Sequence, residues 1–165
     1  MKKREKQLIS ELLKNSKLSD RDIAKKLEIS QPTVTRIRKI LEKKFIKSYT
    51  IVPDLAKLNI KLIAVTFATC PKPTQQLFKR IEKFVNEHPN IVFAGHGEGL
   101  GKTKVFISFH NEFSDFTEFL RKIRLECEDF GSTAESFIVS TDKLIQTLNM
   151  SKAVEYLINK RQAEA

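Results

Sequence analysis

Leu18-Ser19-Asp20-Arg21-Asp22-Ile23-Ala24-Lys25-Lys26-Leu27-Glu28-Ile29-Ser30-Gln31-Pro32-Thr33-Val34-Thr35-Arg36-Ile37-Arg38-Lys39-Ile40-Leu41 holds two helix starts separated by one short break. Ser19 ahead of Asp20 and Asp22 reads as an N-cap followed by acidic residues where the helix dipole favours anions. Ile23, Ala24 and Leu27 give this helix a short apolar face, and it ends near Glu28-Ile29. Ser30 is a second N-cap candidate, and Pro32 falls in the first turn, where a missing N–H costs nothing. Val34, Ile37 and Leu41 then repeat at i, i+3 and i+7. Two helices only about three residues apart, the first with a small alanine on its inner face, match the helix-turn-helix pattern, whose second helix enters the DNA major groove.

The flanks agree with this reading. Upstream, Arg4 to Lys14 sets Leu8, Ile9, Leu12 and Leu13 on one side at helical spacing, which predicts a first helix. Downstream, Phe45-Ile46-Lys47-Ser48-Tyr49-Thr50-Ile51-Val52 is β-branched and aromatic and stops at Pro53-Asp54, which predicts a strand leaving the head. At about 100° per residue, the third helix turns Pro32, Thr35, Arg36, Lys39 and Lys43 away from its apolar stripe, with Gln31 and Thr33 near its exposed start. A groove would meet that face. Arg36 suits guanine, Gln31 suits adenine, the Thr35 methyl suits thymine, and Lys39 and Lys43 suit phosphates. Arg38 joins the DNA-binding set but lies nearer the apolar stripe, where an internal ion pair is the alternative.

Charge separates the chain into two parts. The formal net charge is +10, and residues 1–50 carry 15 Lys and Arg against 6 Asp and Glu, while the rest is almost neutral. Lysine and arginine displace counterions from a phosphate backbone, so a polyanion partner is expected for the head. No apolar run approaches the roughly 18 residues of a membrane span, and the start runs into a helical pattern rather than a signal peptide, so a cytoplasmic location is expected. Cys70 and Cys127 stand far apart without neighbours at ligand spacing and read as buried thiols; neither a disulfide framework nor a metal is indicated.

The second part alternates element types. Leu62 to Ala68 reads as a strand; Thr74 caps a helix with Leu77, Phe78, Ile81, Phe84 and Val85 inward; Ile91 to Ala94 reads as a strand. A glycine-rich link follows, then a strand Val105 to Phe109, a helix capped by Ser114 with Phe116, Phe119, Leu120 and Ile123 inward, and a strand Phe137 to Val139. The order β-α-β-β-α-β is the ferredoxin-like arrangement, with two helices on one face of an antiparallel sheet and the other face left for a partner. From Asp142 to Lys160, Leu144, Ile145, Leu148, Val154, Leu157 and Ile158 read as one broken helix or two short ones, packed on its own domain or wrapped on a neighbouring subunit.

Gly95 to Thr103 resembles a phosphate-binding loop only superficially. A Walker A motif needs glycine where His96 stands, and it must open a helix, whereas Lys104-Val105-Phe106-Ile107 reads as a strand. A hairpin link is the plainer reading, with Gly95, His96, Gly97, Glu98 and Gly99 as candidates for effector contacts through exposed N–H groups. His88, His96 and His110 are too widely spaced for a short metal motif and lack carboxylates at catalytic spacing, so neither catalytic residues nor a cofactor is expected.

The run Leu18 to Ser30, with Val34, Arg36, Ile37, Arg38 and Leu41 and then Phe45-Ile46-Lys47-Ser48-Tyr49-Thr50, resembles the Lrp/AsnC, or feast/famine, regulators of bacteria and archaea over roughly Leu8 to Ser140. The resemblance implies an α+β chain: a winged helix-turn-helix head (1–50), a strand linker (51–60), a βαββαβ effector and oligomerisation domain (61–140), and here a helical extension (141–165). It also implies a non-enzymatic, sequence-specific regulator acting on double-stranded DNA as a homodimer or higher oligomer, with an amino acid or similar small molecule as effector. The related sirohaem decarboxylases and non-specific architectural DNA binders are the alternatives.

Overall fold

The computed structural model describes residues 1–69, 74–128, 133–146 and 150–163, excepting the side chains of 126–128 and 157–163. Cys70, the Cys127 thiol, Leu148 and the side chains of Leu157 and Ile158, on which expectations were placed, lie outside it. Two compact units emerge, residues 1–52 with 146–165, and residues 53–145.

The first unit is built on α1 (Lys3–Lys14), α2 (Asp20–Leu27) and α3 (Gln31–Lys44). Leu8, Leu12, Ile23, Ala24, Val34, Ile37 and Leu41 form its buried core, with Ile9, Leu18, Leu27, Ile29 and Ile46 packed around them. Each fully buried aliphatic side chain contributes about 1.5–3 kcal/mol. Ser19 caps α2 as expected: its Oγ accepts from Asp22 N at 3.1 Å, while its own N–H donates to Asp22 Oδ2 at 3.3 Å. At the start of α3 the Ser30 hydroxyl instead pairs with the Thr33 hydroxyl at 2.8 Å and makes no bond to the backbone.

Residues 45–52, expected as a strand, carry no β-structure. A strand is defined by its ladder, and among the described residues this segment has no neighbouring strand to pair with. Ile46 turns inward onto the head core, while Tyr49, Ile51 and Val52 are exposed. The tail forms a 3₁₀ turn (Thr141–Lys143) and then α6 (Met150–Ala163). α6 joins the first unit and packs on α1, where Glu155 Oε1 accepts from the Ser10 hydroxyl at 3.1 Å and from Lys14 Nζ at 3.2 Å. Lys14 also meets Glu11 at 3.4 Å, and Glu11 meets Lys26 at 3.1 Å, which with Lys14 holds the Glu11 carboxyl below its usual range.

The second unit contains β1 (Leu62–Ala68), α4 (Gln75–Glu87), β2 (Ile91–Gly99), β3 (Lys102–His110), α5 (Phe113–Glu128) and β4 (Ala134–Ser140). The four strands form one sheet in the order β2-β3-β1-β4, every neighbouring pair antiparallel, so the expected β-α-β-β-α-β arrangement is present. Thr74 caps α4 by accepting from Leu77 N at 3.2 Å, whereas α5 begins at Phe113, one residue before the expected Ser114 cap. Ala68, Phe106 and Ala134 from the sheet meet Phe84, Phe119 and Ile123 from the helices in one core. Phe78, expected inward, is 41% exposed because it sits edge-on to His96 at the sheet margin rather than over its centre.

Strand pleating sends alternate residues to the opposite face. In register there, Ile63 lies between Phe109 and Val139, and Val65 between Ile107 and Phe137. Phe93 on β2 opposes Ile107 from the other side. This face is therefore apolar across all four strands, and Phe93 and Phe137 are 53% and 68% exposed.

The glycine run, expected as a link, is the second half of β2. Gly95 pairs with Val105 and His96 with Lys104, a bulge follows between His96 and Gly99, and the chain reverses at Leu100-Gly101. Both turn residues have positive φ, 53° and 66°, the geometry of a two-residue hairpin that follows the twist of its strands. The ladder offered by β3 outweighs the poor intrinsic strand preference of glycine.

Candidate nucleic-acid interface

The interface is assembled from the way α2 holds α3. Glu28 ends α2 in the left-handed conformation, φ 52° and ψ 49°, with its N–H bonded to Ala24 O. This reverses the chain so that only Ile29 and Ser30 intervene before α3. Val34, Ile37 and Leu41 bury one side of α3, which leaves Gln31, Pro32, Arg36, Lys39 and Lys43 exposed on the other, with Thr33 half-buried. Four of the expected DNA-facing residues, Gln31, Arg36, Lys39 and Lys43, thus share one solvent face.

Two others do not. Thr35 donates its hydroxyl to Asp20 Oδ2 at 2.5 Å, and Arg38 Nε reaches Asp20 Oδ1 at 2.6 Å. Arg38 Nη2 also donates to the Leu18 carbonyl at 2.8 Å, so the internal ion pair, the alternative reading of Arg38, is the arrangement present. The Thr35 hydroxyl is likewise engaged with α2, through Asp20. The Thr35 hydroxyl and Arg38 together hold the Asp20 carboxyl below the usual carboxylate range.

Sequence reading missed Asp20, Leu18, Tyr49 and Glu42 as parts of this site. The dipole of α2 accounts for an acidic residue at Asp20; the signal for its second role is an arginine beside an apolar stripe, which needs a buried counter-charge. Tyr49, on the segment after α3, donates its hydroxyl to Glu42 Oε1 at 2.9 Å, and partial burial with that carboxylate pushes its phenol up.

Elsewhere, Gly95 to Gly99 lie on edge strand β2, with the exposed His96 ring 4.9 Å from that of Phe78. Among the described residues, no cluster of three or more His, Cys, Asp or Glu could hold a metal ion. No described helix is long and apolar enough to cross a membrane.

Residues 1–44 match the model of a family described as winged helix-turn-helix DNA-binding. The chain is 34% identical over 87 residues to the HTH-type transcriptional regulator LrpC of Bacillus subtilis strain 168, a match covering 52% of this chain and 58% of that protein. The solved structure of B. subtilis LrpC superposes with a TM-score of 0.73 at 21% identity, covering 91% of this chain and 98% of that one. A transcriptional regulator from Neisseria meningitidis, solved as its L-Met complex, gives a TM-score of 0.77 at 14% identity, covering 92% and 95%. An AsnC family transcriptional regulator from Agrobacterium tumefaciens gives 0.76 at 18% identity, covering 89% and 94%. The head of this chain is thus similar in sequence to winged helix-turn-helix DNA-binding domains, the match to LrpC spans just over half the length of that protein, and the chain as a whole shares the fold of these solved regulators.

Proposed function

We propose that this chain is a sequence-specific DNA-binding transcription regulator that acts as a homodimer or a higher assembly of dimers. The observation that carries the reading is the exposed face of α3, where Gln31, Arg36, Lys39 and Lys43 stand together on a head with 15 basic against 6 acidic residues in its first 50. In the groove, Arg36 makes bidentate bonds to guanine and Gln31 pairs with adenine. Lys39 and Lys43 take phosphates, which set register and supply salt-dependent affinity. Thr33 adds a contact at the start of the helix. Thr35 and Arg38 serve the site indirectly, through Asp20.

The dimer is supported by the apolar sheet face, since monomeric proteins rarely leave so continuous an apolar layer in water. Two copies of α3 then read half-sites about one helical turn apart, and the operator is a pseudo-palindrome. A small-molecule effector is supported by the similar Neisseria structure holding L-Met, and Gly95 to Gly99 are the residues we would test for contact with it. The function of this chain is regulatory rather than enzymatic, in keeping with the regulators it resembles.

Selection of bound fragments from a random duplex pool at about 150 mM salt, where non-specific phosphate binding is weakened, tests the reading. The expected product is an enriched two-fold-symmetric motif. Equal recovery of all sequences refutes base reading and leaves a non-specific binder.

A further inference from the structure

The helix that faces the groove is held at its middle by one carboxylate. Thr35 and Arg38 are three residues apart on α3 and therefore neighbours on its surface. Asp20, the first residue of α2, takes one of them on each oxygen, at 2.5 and 2.6 Å. Arg38 carries the link on to the Leu18 carbonyl, ahead of the α2 cap. The Asp20 and Arg38 side chains keep only 20% and 17% of their exposure, so water competes weakly for these bonds.

Hydrophobic packing is non-directional, so the stripe Val34, Ile37 and Leu41 decides which side of α3 faces inward but tolerates a roll of the helix. Two directional attachments to one rigid carboxylate remove that freedom. The difference matters at the solvent face: a roll of about 20° moves a side-chain tip at a radius of about 6 Å by about 2 Å. Hydrogen bonds to base edges keep their geometry only within a few tenths of an ångström. Phosphate contacts made by long lysine side chains absorb such a shift.

We propose that Asp20 is a positioning residue for base reading: by gripping Thr35 and Arg38 it fixes the roll of α3, and so the placement of Arg36 and Gln31, without touching DNA. The inference rests on the reading of α3 as the groove helix. It separates two properties that a merely structural residue would move together, the discrimination between sequences and the affinity for DNA as such.

The test uses the full chain as wild type, Asp20→Ala and Asp20→Glu, with dissociation constants measured for the selected duplex and for a scrambled duplex over a range of salt. All are measured well below the unfolding transition of each protein. Asp20→Ala is expected to cut the ratio of the two constants by about tenfold. The salt dependence should be unchanged because the phosphate contacts persist. Asp20→Glu, which restores the charge one methylene further out, should recover part of the ratio. If Asp20→Ala does not fold, Asp20→Asn, which keeps an acceptor for Thr35 but loses the ion pair, is expected to show the same loss. Folded variants with the wild-type ratio overturn the positioning role while leaving the DNA-reading function intact. A wild type that binds both duplexes alike overturns the function and the positioning role together.

Discussion

Glu28 is the pivot between α2 and α3, and its backbone conformation carries a measurable cost. With φ at 52° and ψ at 49° it occupies the left-handed region. A side chain with a Cβ costs about 1–2 kcal/mol there relative to the right-handed helix. Glycine escapes that cost but loses more chain entropy on folding, by about 0.5–1 kcal/mol. The difference leaves Glu28→Gly stabilising the head by about 0.5–1 kcal/mol. Ile29 N already bonds Ala24 O at 3.1 Å across this reversal, so the variant retains the turn and relieves only the strain. Because the chain has two units, one melting temperature would mix their responses. Hydrogen exchange at the amides of Val34, Ile37 and Leu41 reports the head directly. Exchange there should slow about two- to fivefold, the factor that this free energy corresponds to. Glu28→Ala, which removes the charge but keeps the Cβ, is the control and should not slow exchange. Equal effects from the two variants, or faster exchange in Glu28→Gly, would refute the strain argument.

Three further predictions concern the two units separately. Arg36→Ala should cost about 1–3 kcal/mol on the selected duplex and relax preference at one base, whereas Lys43→Ala should weaken all duplexes alike and reduce the salt slope by about 1; indistinguishable profiles would remove the division of labour on α3. Val65→Asp, between Ile107 and Phe137 on the apolar sheet face, should convert the proposed dimer to monomer in sedimentation, since a carboxylate desolvated at an interface costs several kcal/mol; a variant that sediments as the wild type does would place the interface elsewhere. His110 is 4% exposed and shares a hydrogen bond of 2.8 Å with the Ser108 hydroxyl. Burial lowers its native pKa, with Asp115 opposing more weakly. The unfolded chain therefore binds the proton more readily, and the stability this contributes is complete above about pH 6.5 and lost as pH falls through the lowered native value. Urea unfolding of the second unit between pH 7.5 and 5.5 should lose stability by at most about 1.4 kcal/mol per pH unit, and His110→Gln should flatten that slope; a wild type with no slope contradicts the assignment.

The predicted elements that held were those whose signal is local. Ser19 and Thr74 cap helices in the structure because an N-cap needs only its own first turn, which the sequence displays in full. The stripe of Val34, Ile37 and Leu41 is buried as its spacing requires. Residues 45–52 and Gly95–Gly99 failed in opposite directions for one reason: a strand exists through its partner, and the partner is not written beside it. The first segment has β-forming residues and no ladder; the second has glycines and is paired by β3.

The sequence by itself determined the helix-turn-helix, the concentration of positive charge on the head, the β-α-β-β-α-β order and the solvent face that carries Gln31, Arg36, Lys39 and Lys43. These depend on periodicity, capping and composition, all of which are properties of neighbouring residues. Tertiary structure alone decided that Thr35 and Arg38 meet Asp20, across 15 and 18 residues, and that Glu155 returns to Ser10 and Lys14 from the other end of the chain. Such pairs answer to the three-dimensional placement of two helices, where one carboxylate has several possible partners in sequence and packing leaves it only those within hydrogen-bond reach.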